Sequence, residues 1–149
     1  MKILYLGLFI DIVGAVVIFF GGTYLVDNVL EKIADPDKMK VFGYVLLAVS
    51  FTELIAIFFI KRNFFNPESI KRMNPRTFKQ FSGQIKVYYL ILYFLAFAPS
   101  IYGLLYYYLC GDQNMFVLMV CITLIGYLLI RPRPSFIEKM AEPFDFEEI

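Results

Sequence analysis

Four long apolar runs, at 3–26, 41–60, 87–109 and 115–130, constrain this 149-residue chain more than any other feature. A helix rises about 1.5 Å per residue and a bilayer's hydrocarbon core is about 30 Å thick, so about 20 apolar residues are needed to cross it. The first three runs meet that length. The fourth holds 16 residues. It reads as a short span, because Arg131 and Arg133 can snorkel at one end and 111–114 can sit among headgroups at the other. Backbone in lipid must satisfy its own hydrogen bonds, so each run is expected to be helical. The expected fold is all-α: an integral membrane four-helix bundle, up-down-up-down, forming a single domain over 1–149. The first run is too long for a signal-peptide core, contains Asp11, and has no small-residue cleavage pattern after it, so it reads as a retained span.

Composition narrows the function classes. With 60% hydrophobic and 18% charged residues, the chain departs from soluble domains, which average about 45–50% apolar and about 25% charged. A net charge of +1 gives no field to hold nucleic acid. Histidine is absent, which removes Ser-His and Cys-His catalysis and imidazole metal sites. Cys110 and Cys121 are too few for a zinc cluster or a disulfide framework, and they read as small apolar fillers. The chain has no phosphate-cradling loop or nucleophile elbow. No enzyme activity, metal or cofactor is expected.

Orientation follows from Lys and Arg. The 61–86 loop carries Lys61, Arg62, Lys71, Arg72, Arg76, Lys79 and Lys86 against one acid, Glu68. Lys2 precedes the first span, and Arg131, Arg133 and Lys139 follow the fourth. Both termini and this loop are therefore placed in the cytoplasm, with eleven of the fourteen bases inside as the positive-inside rule requires. The location expected is a cell membrane, multi-pass, in a prokaryotic plasma membrane. The seven loop bases, interleaved with Phe64, Phe65, Phe78 and Phe81, are expected to face anionic headgroups. Tyr106, Tyr107 and Tyr108 are expected in an aromatic belt at the outer surface. Asp35-Pro36 and Asn74-Pro75 read as starts of the second and third helices. Asn66-Pro67 reads as the start of a short loop helix. In the 131–149 tail, Ser135 to Glu138 form a capping pattern for a surface helix laying Phe136, Ile137 and Met140 on the membrane.

Two features inside the spans are candidates for function. Asp11 and Glu53 are the only acids there. Each costs about 2.5–3.5 kcal/mol at a helix centre, so each should face the bundle and find a partner. Counting from the cytoplasmic ends places both at one depth. Tyr93 and Thr123 fall in the same layer, and Ser50 and Ser100 lie beside it. No base lies within a span. Burial disfavours the charged form, and a second nearby carboxyl disfavours it further. The pair can be a protonated clasp, a proton or cation site with the hydroxyls as relays, or a docking point for a partner's base. The second feature is Gly7, Gly14 and Gly21 on one face of the first helix, a seam where another helix can approach closely. On the second helix Gly43, Leu46, Ser50, Glu53 and Ile57 share a face. On the third, Tyr89, Tyr93, Ala96, Ser100, Gly103 and Tyr107 do.

These residues point to a non-catalytic membrane protein, a small subunit or scaffold of a membrane complex that associates through the glycine seam of the first helix. Its partners would be the lipid bilayer and other membrane subunits or further copies of itself. The alternative is a small proton- or cation-translocating protein built on Asp11 and Glu53. A lipid-interacting role rests on the basic loop alone.

Overall fold

Apolar sequence that must pair its own backbone groups folds as helix, and the computed structural model is helical throughout its main elements. The structure describes residues 9, 13, 14, 16–28, 36–66, 68, 69, 72, 75, 77–131, 133, 137 and 140–142. Four α-helices are seen among them: α1 Gly22–Asn28, α2 Pro36–Phe64, α3 Phe78–Cys110 and α4 Gln113–Ile130. A π-helical stretch, Val17–Gly21, leads directly into α1. No strand occurs among the described residues. Three helices, α2, α3 and α4, are long and apolar enough to cross a membrane, with mean hydropathies of 2.1, 1.6 and 2.0 over their most apolar windows.

The helix ends have local causes. α2 begins at Pro36, a first-turn position where a missing N–H costs nothing. α3 does not begin at Pro75. Thr77 is extended (φ −127°, ψ 151°) and its hydroxyl accepts from the Gln80 N–H at 3.3 Å. Thr77-x-x-Gln80 matches the capping-box pattern, so α3 starts at Phe78, nine residues ahead of the expected span. In the loop, Glu68, Ser69 and Arg72 are helical. Asp35 and Asn74 lie outside the described residues.

The tightest connection joins α3 to α4. Gly111 adopts φ 72° and its N–H reaches the Tyr107 carbonyl at 2.7 Å, a left-handed cap that a side chain would strain. Asp112 follows and accepts from the Met115 N–H at 3.2 Å, starting α4. With two residues between them, the helices run antiparallel in a regular ladder. Tyr93 packs on Tyr127, Ser100 on Thr123, and Tyr107 on Phe116. Between these, the backbones close on glycines. A Cβ on Gly103 would stand 2.9 Å from Met119 Cβ, and one on Gly126 would stand 3.1 Å from Ala96 Cβ. The third-helix face read from sequence is the buried one: Tyr89, Tyr93, Ala96, Ser100, Gly103 and Tyr107 are all buried.

α2 leans on this hairpin. A Cβ on Gly43 would lie 2.8 Å from the Tyr106 ring. At the far end Lys61 Nζ donates to the Leu129 carbonyl, one of the four carbonyls a helix leaves unpaired at its C-terminus. The C-terminal ends of α2 and α4 therefore lie together.

Two apolar clusters fill the interior. One gathers Ile57, Phe65, Phe81, Ile85, Tyr89, Leu92, Tyr127, Ile130 and Met140 near the basic loop. The other joins Val26 to Tyr107, Phe116 and Val120 at the opposite end, with Phe116 stacked between Phe19 and Tyr107. These clusters correct three expectations. Phe65 and Phe81 are core residues, while Phe78 remains exposed. The tail does not lay Met140 on the membrane: Met140 is buried in the first cluster and Ile137 packs against it. Tyr106 and Tyr107 are buried rather than belted, because α3 turns both rings toward its neighbours.

Candidate functional site

The hydroxyl and carboxyl groups expected in one layer sort into separate contacts. Ser100 and Thr123, read from sequence as neighbours in depth on different helices, meet directly. Ser100 Oγ donates to Thr123 Oγ1 at 2.7 Å, and the Ser100 N–H reaches the same oxygen at 3.1 Å. The cause is Pro99, one residue earlier in α3. Its ring removes an N–H and loosens the ladder beside it, and Thr123 supplies the acceptor. Ser50 is fully buried, but its hydroxyl donates to Leu46 of its own helix at 2.9 Å.

Glu53 finds a partner that sequence reasoning missed. Tyr102 Oη donates to Glu53 Oε1 at 2.8 Å, tying α2 to α3. Glu53 Oε2 is buried with no hydrogen-bond partner among the described residues. Tyr93, expected in this layer, lies two turns nearer the basic loop, packed on Tyr127 at 5.4 Å between ring centres. Counting from Val87 sets Tyr93 level with Glu53, but the contact falls nine residues further along α3, at Tyr102. The residue that meets Glu53 depends on how α2 and α3 cross, which counting along each run does not register.

A second tyrosine–carboxylate contact repeats the pattern. Tyr107 Oη donates to Asp27 Oδ1, tying α3 to the last turn of α1. Tyr106 Oη reaches the Met39 carbonyl at 3.3 Å. Tyr102 and Tyr106 thus join α3 to α2, and Tyr107 joins it to α1.

Asp11 and Gly7 lie outside the described residues, so the level pairing of Asp11 with Glu53 has no described counterpart. For the rest of the seam, a Cβ on Gly14 would stand 4.0 Å from Tyr127 Oη, and one on Gly21 would meet nothing within 4 Å. The close approach falls on Gly22, where a Cβ would stand 2.6 Å from Leu104 Cδ1. The expected Gly21 contact is thus displaced by one residue. The π-helical stretch ends at Gly21, and its wider turn shifts the register.

Of the basic residues, Arg62, Arg72, Lys79 and Lys86 are exposed, while Lys61 is turned onto α4. Lys71 and Arg76 lie outside the described residues. A cavity of about 480 Å³ opens between the loop and α3, lined by Ser69, Arg72, Gln84, Val87 and Tyr88. The cysteines form no disulfide; Cys110 is buried and Cys121 exposed. No group of acids and cysteines able to hold a metal occurs among the described residues.

Fold and site define the class: an all-helical protein with three helices suited to a membrane among the described residues, braced by tyrosine–carboxylate and serine–threonine contacts. Comparison with protein families, with curated protein sequences and with solved structures finds no match.

Proposed function

We propose that this chain is a non-catalytic integral membrane subunit that associates with a second copy of itself along α2. Its topology would be up-down-up-down in a prokaryotic plasma membrane, with both termini and the 61–86 loop cytoplasmic. The observation that carries the reading is the outer face of α2. Only 17% of its apolar window is covered, against 39% for α3 and 44% for α4. On that bare surface Val41, Val45, Ala48, Thr52, Ile55 and Phe59 are all exposed. Their spacing of four, three, four, three and four is the heptad rhythm of left-handed helix pairs. The small residues Ala48 and Thr52 sit at its centre, where they let two backbones approach. Thr52 Oγ1 is already bonded to the Ala48 carbonyl at 2.9 Å, so it presents its methyl group. The stripe is uncharged and flanked by bulky apolar side chains on both sides, which makes it self-complementary, as a two-fold interface must be.

Glu53 then serves as an internal brace. Its contact with Tyr102, and the Ser100–Thr123 pair, are closed contacts between neighbours, which supports a structural use over a translocating one.

Two measurements test the reading. Leu30→Cys and Ile70→Cys should label from opposite faces of intact cells; labelling of both from outside contradicts the topology. In mild detergent the protein should run as a dimer, and Ala48→Leu should convert it to a folded monomer. A monomeric wild-type protein, or a dimer that ignores Ala48→Leu, contradicts association through α2.

A further inference from the structure

The cavity at the basic loop has the chemistry of a headgroup site. Gln84, Val87 and Tyr88 stand three and four residues apart and so share one face of α3. Ser69 and Arg72 come from the helical turn that follows α2. The space of about 480 Å³ is within the range that holds small ligands. Tyr88 is held in place by Phe64, whose ring centre lies 4.5 Å away. Val87, more than half exposed, gives the cavity an apolar wall on the side of the membrane span.

Two polar groups decide what fits. Arg72 is a permanent cation whose planar fork of N–H donors matches phosphate oxygens. Gln84 Oε1 is buried and accepts no hydrogen bond from any described residue. A buried acceptor left without a donor is costly. Phosphate alone satisfies the arginine and leaves the amide oxygen bare. A ligand that satisfies both carries a phosphodiester and, a few bonds away, an N–H or O–H donor.

We infer that this cavity binds the headgroup of a membrane phospholipid through Arg72 on the phosphate and Gln84 on a terminal donor, as in phosphatidylethanolamine. Phosphatidylcholine has the same phosphodiester but no N–H, and so serves as the control. The inference is independent of self-association through α2.

The test uses the full-length protein in nanodiscs of equimolar dioleoyl phosphatidylethanolamine and dioleoyl phosphatidylcholine, with retained lipids counted by native mass spectrometry. Wild type should retain the ethanolamine lipid about fivefold over the choline lipid, the worth of one hydrogen bond to a buried acceptor. The N,N-dimethyl lipid keeps one N–H and should be retained like the ethanolamine lipid, so the loss comes only with the last methyl group. Gln84→Leu should abolish the preference, and Arg72→Gln should lower retention of both lipids about tenfold, with helicity unchanged in both. Equal retention of the two lipids by wild type overturns the inference without reference to any variant. So does a preference that survives Gln84→Leu, or one that declines evenly with each added methyl group. Excess soluble glycerophosphoethanolamine should not displace the lipid; displacement would reassign the site to a free phosphate ester and overturn the lipid assignment.

Discussion

The α3–α4 hairpin and the first helix are both apolar and both rich in small residues, yet they pack differently. In the hairpin every small residue on the shared face is used. Gly103 closes on Met119, Gly126 on Ala96, and Ser100 on Thr123. A left-handed glycine and an aspartate cap fix the turn between them. Around the first helix the glycines are mostly idle. Only Gly22 is closely packed, where a Cβ would stand 2.6 Å from Leu104 Cδ1; Gly21 meets nothing within 4 Å, Gly14 only grazes Tyr127, and an apolar cavity of about 310 Å³ lies between Phe9, Val13, Gly14, Val17, Ile18 and Phe97. A glycine seam thus permits close approach without causing it. What draws the hairpin helices together is a short link that leaves them no choice of partner, and side chains of matching size opposite each glycine.

Filling one glycine in each region has the largest expected effect. Gly103→Leu should destabilise by about 1–3 kcal/mol or more, since the added atoms have nowhere to go. Gly21→Leu should change stability by little, because the space there is open. Unfolding in mixed micelles, followed by circular dichroism, reads both, and equal losses would erase the distinction.

The turn comes next. Gly111→Ala places a side chain at φ 72° and should cost about 1–2 kcal/mol. An unchanged midpoint in the same titration would mean that the hairpin does not depend on its link.

The smallest effects belong to the polar braces. Interhelical hydrogen bonds in membranes average about 0.6 kcal/mol and reach about 1.7. Thr123→Val removes the acceptor for two bonds from Ser100 and should lie toward the upper figure. Tyr102→Phe frees one bond to Glu53 and should lie near the lower. Glu53→Gln keeps an acceptor for Tyr102 and should be nearly silent. A Glu53→Gln variant more damaged than Tyr102→Phe would show that the carboxylate does more than brace α2.

Much of this was legible in the residues. Apolar length gave the helices, and the periodicity of Tyr89, Tyr93, Ala96, Ser100, Gly103 and Tyr107 gave the buried face of α3. Pro36 marked the start of α2. What failed was the start of the third helix. Reading the third helix from its first long apolar stretch ignored the Thr77 cap, because the turns at 78–86 contain Lys79, Gln80, Gln84 and Lys86. The helix crosses that polar stretch because Phe81 and Ile85 point into the core, a tertiary contact that hydropathy alone does not register. Tyr102 was missed because its contact with Glu53 depends on how α2 and α3 cross, which counting along each run does not register. The cavity beneath Arg72 was not legible at all, since it depends on how the loop folds back on Gln84, Val87 and Tyr88.

Disulfide cross-linking in native membranes reads directly whether copies meet through α2, as proposed. In a Cys110→Ala, Cys121→Ala background, Val45→Cys, Ala48→Cys, Thr52→Cys and Ile55→Cys should each form covalent dimers on mild oxidation. Tyr44→Cys, Phe51→Cys and Phe58→Cys, which replace residues equally exposed on the same helix, should not. Cross-linking that follows the heptad supports association through this stripe, and cross-linking that is absent, or equal at all seven positions, contradicts it.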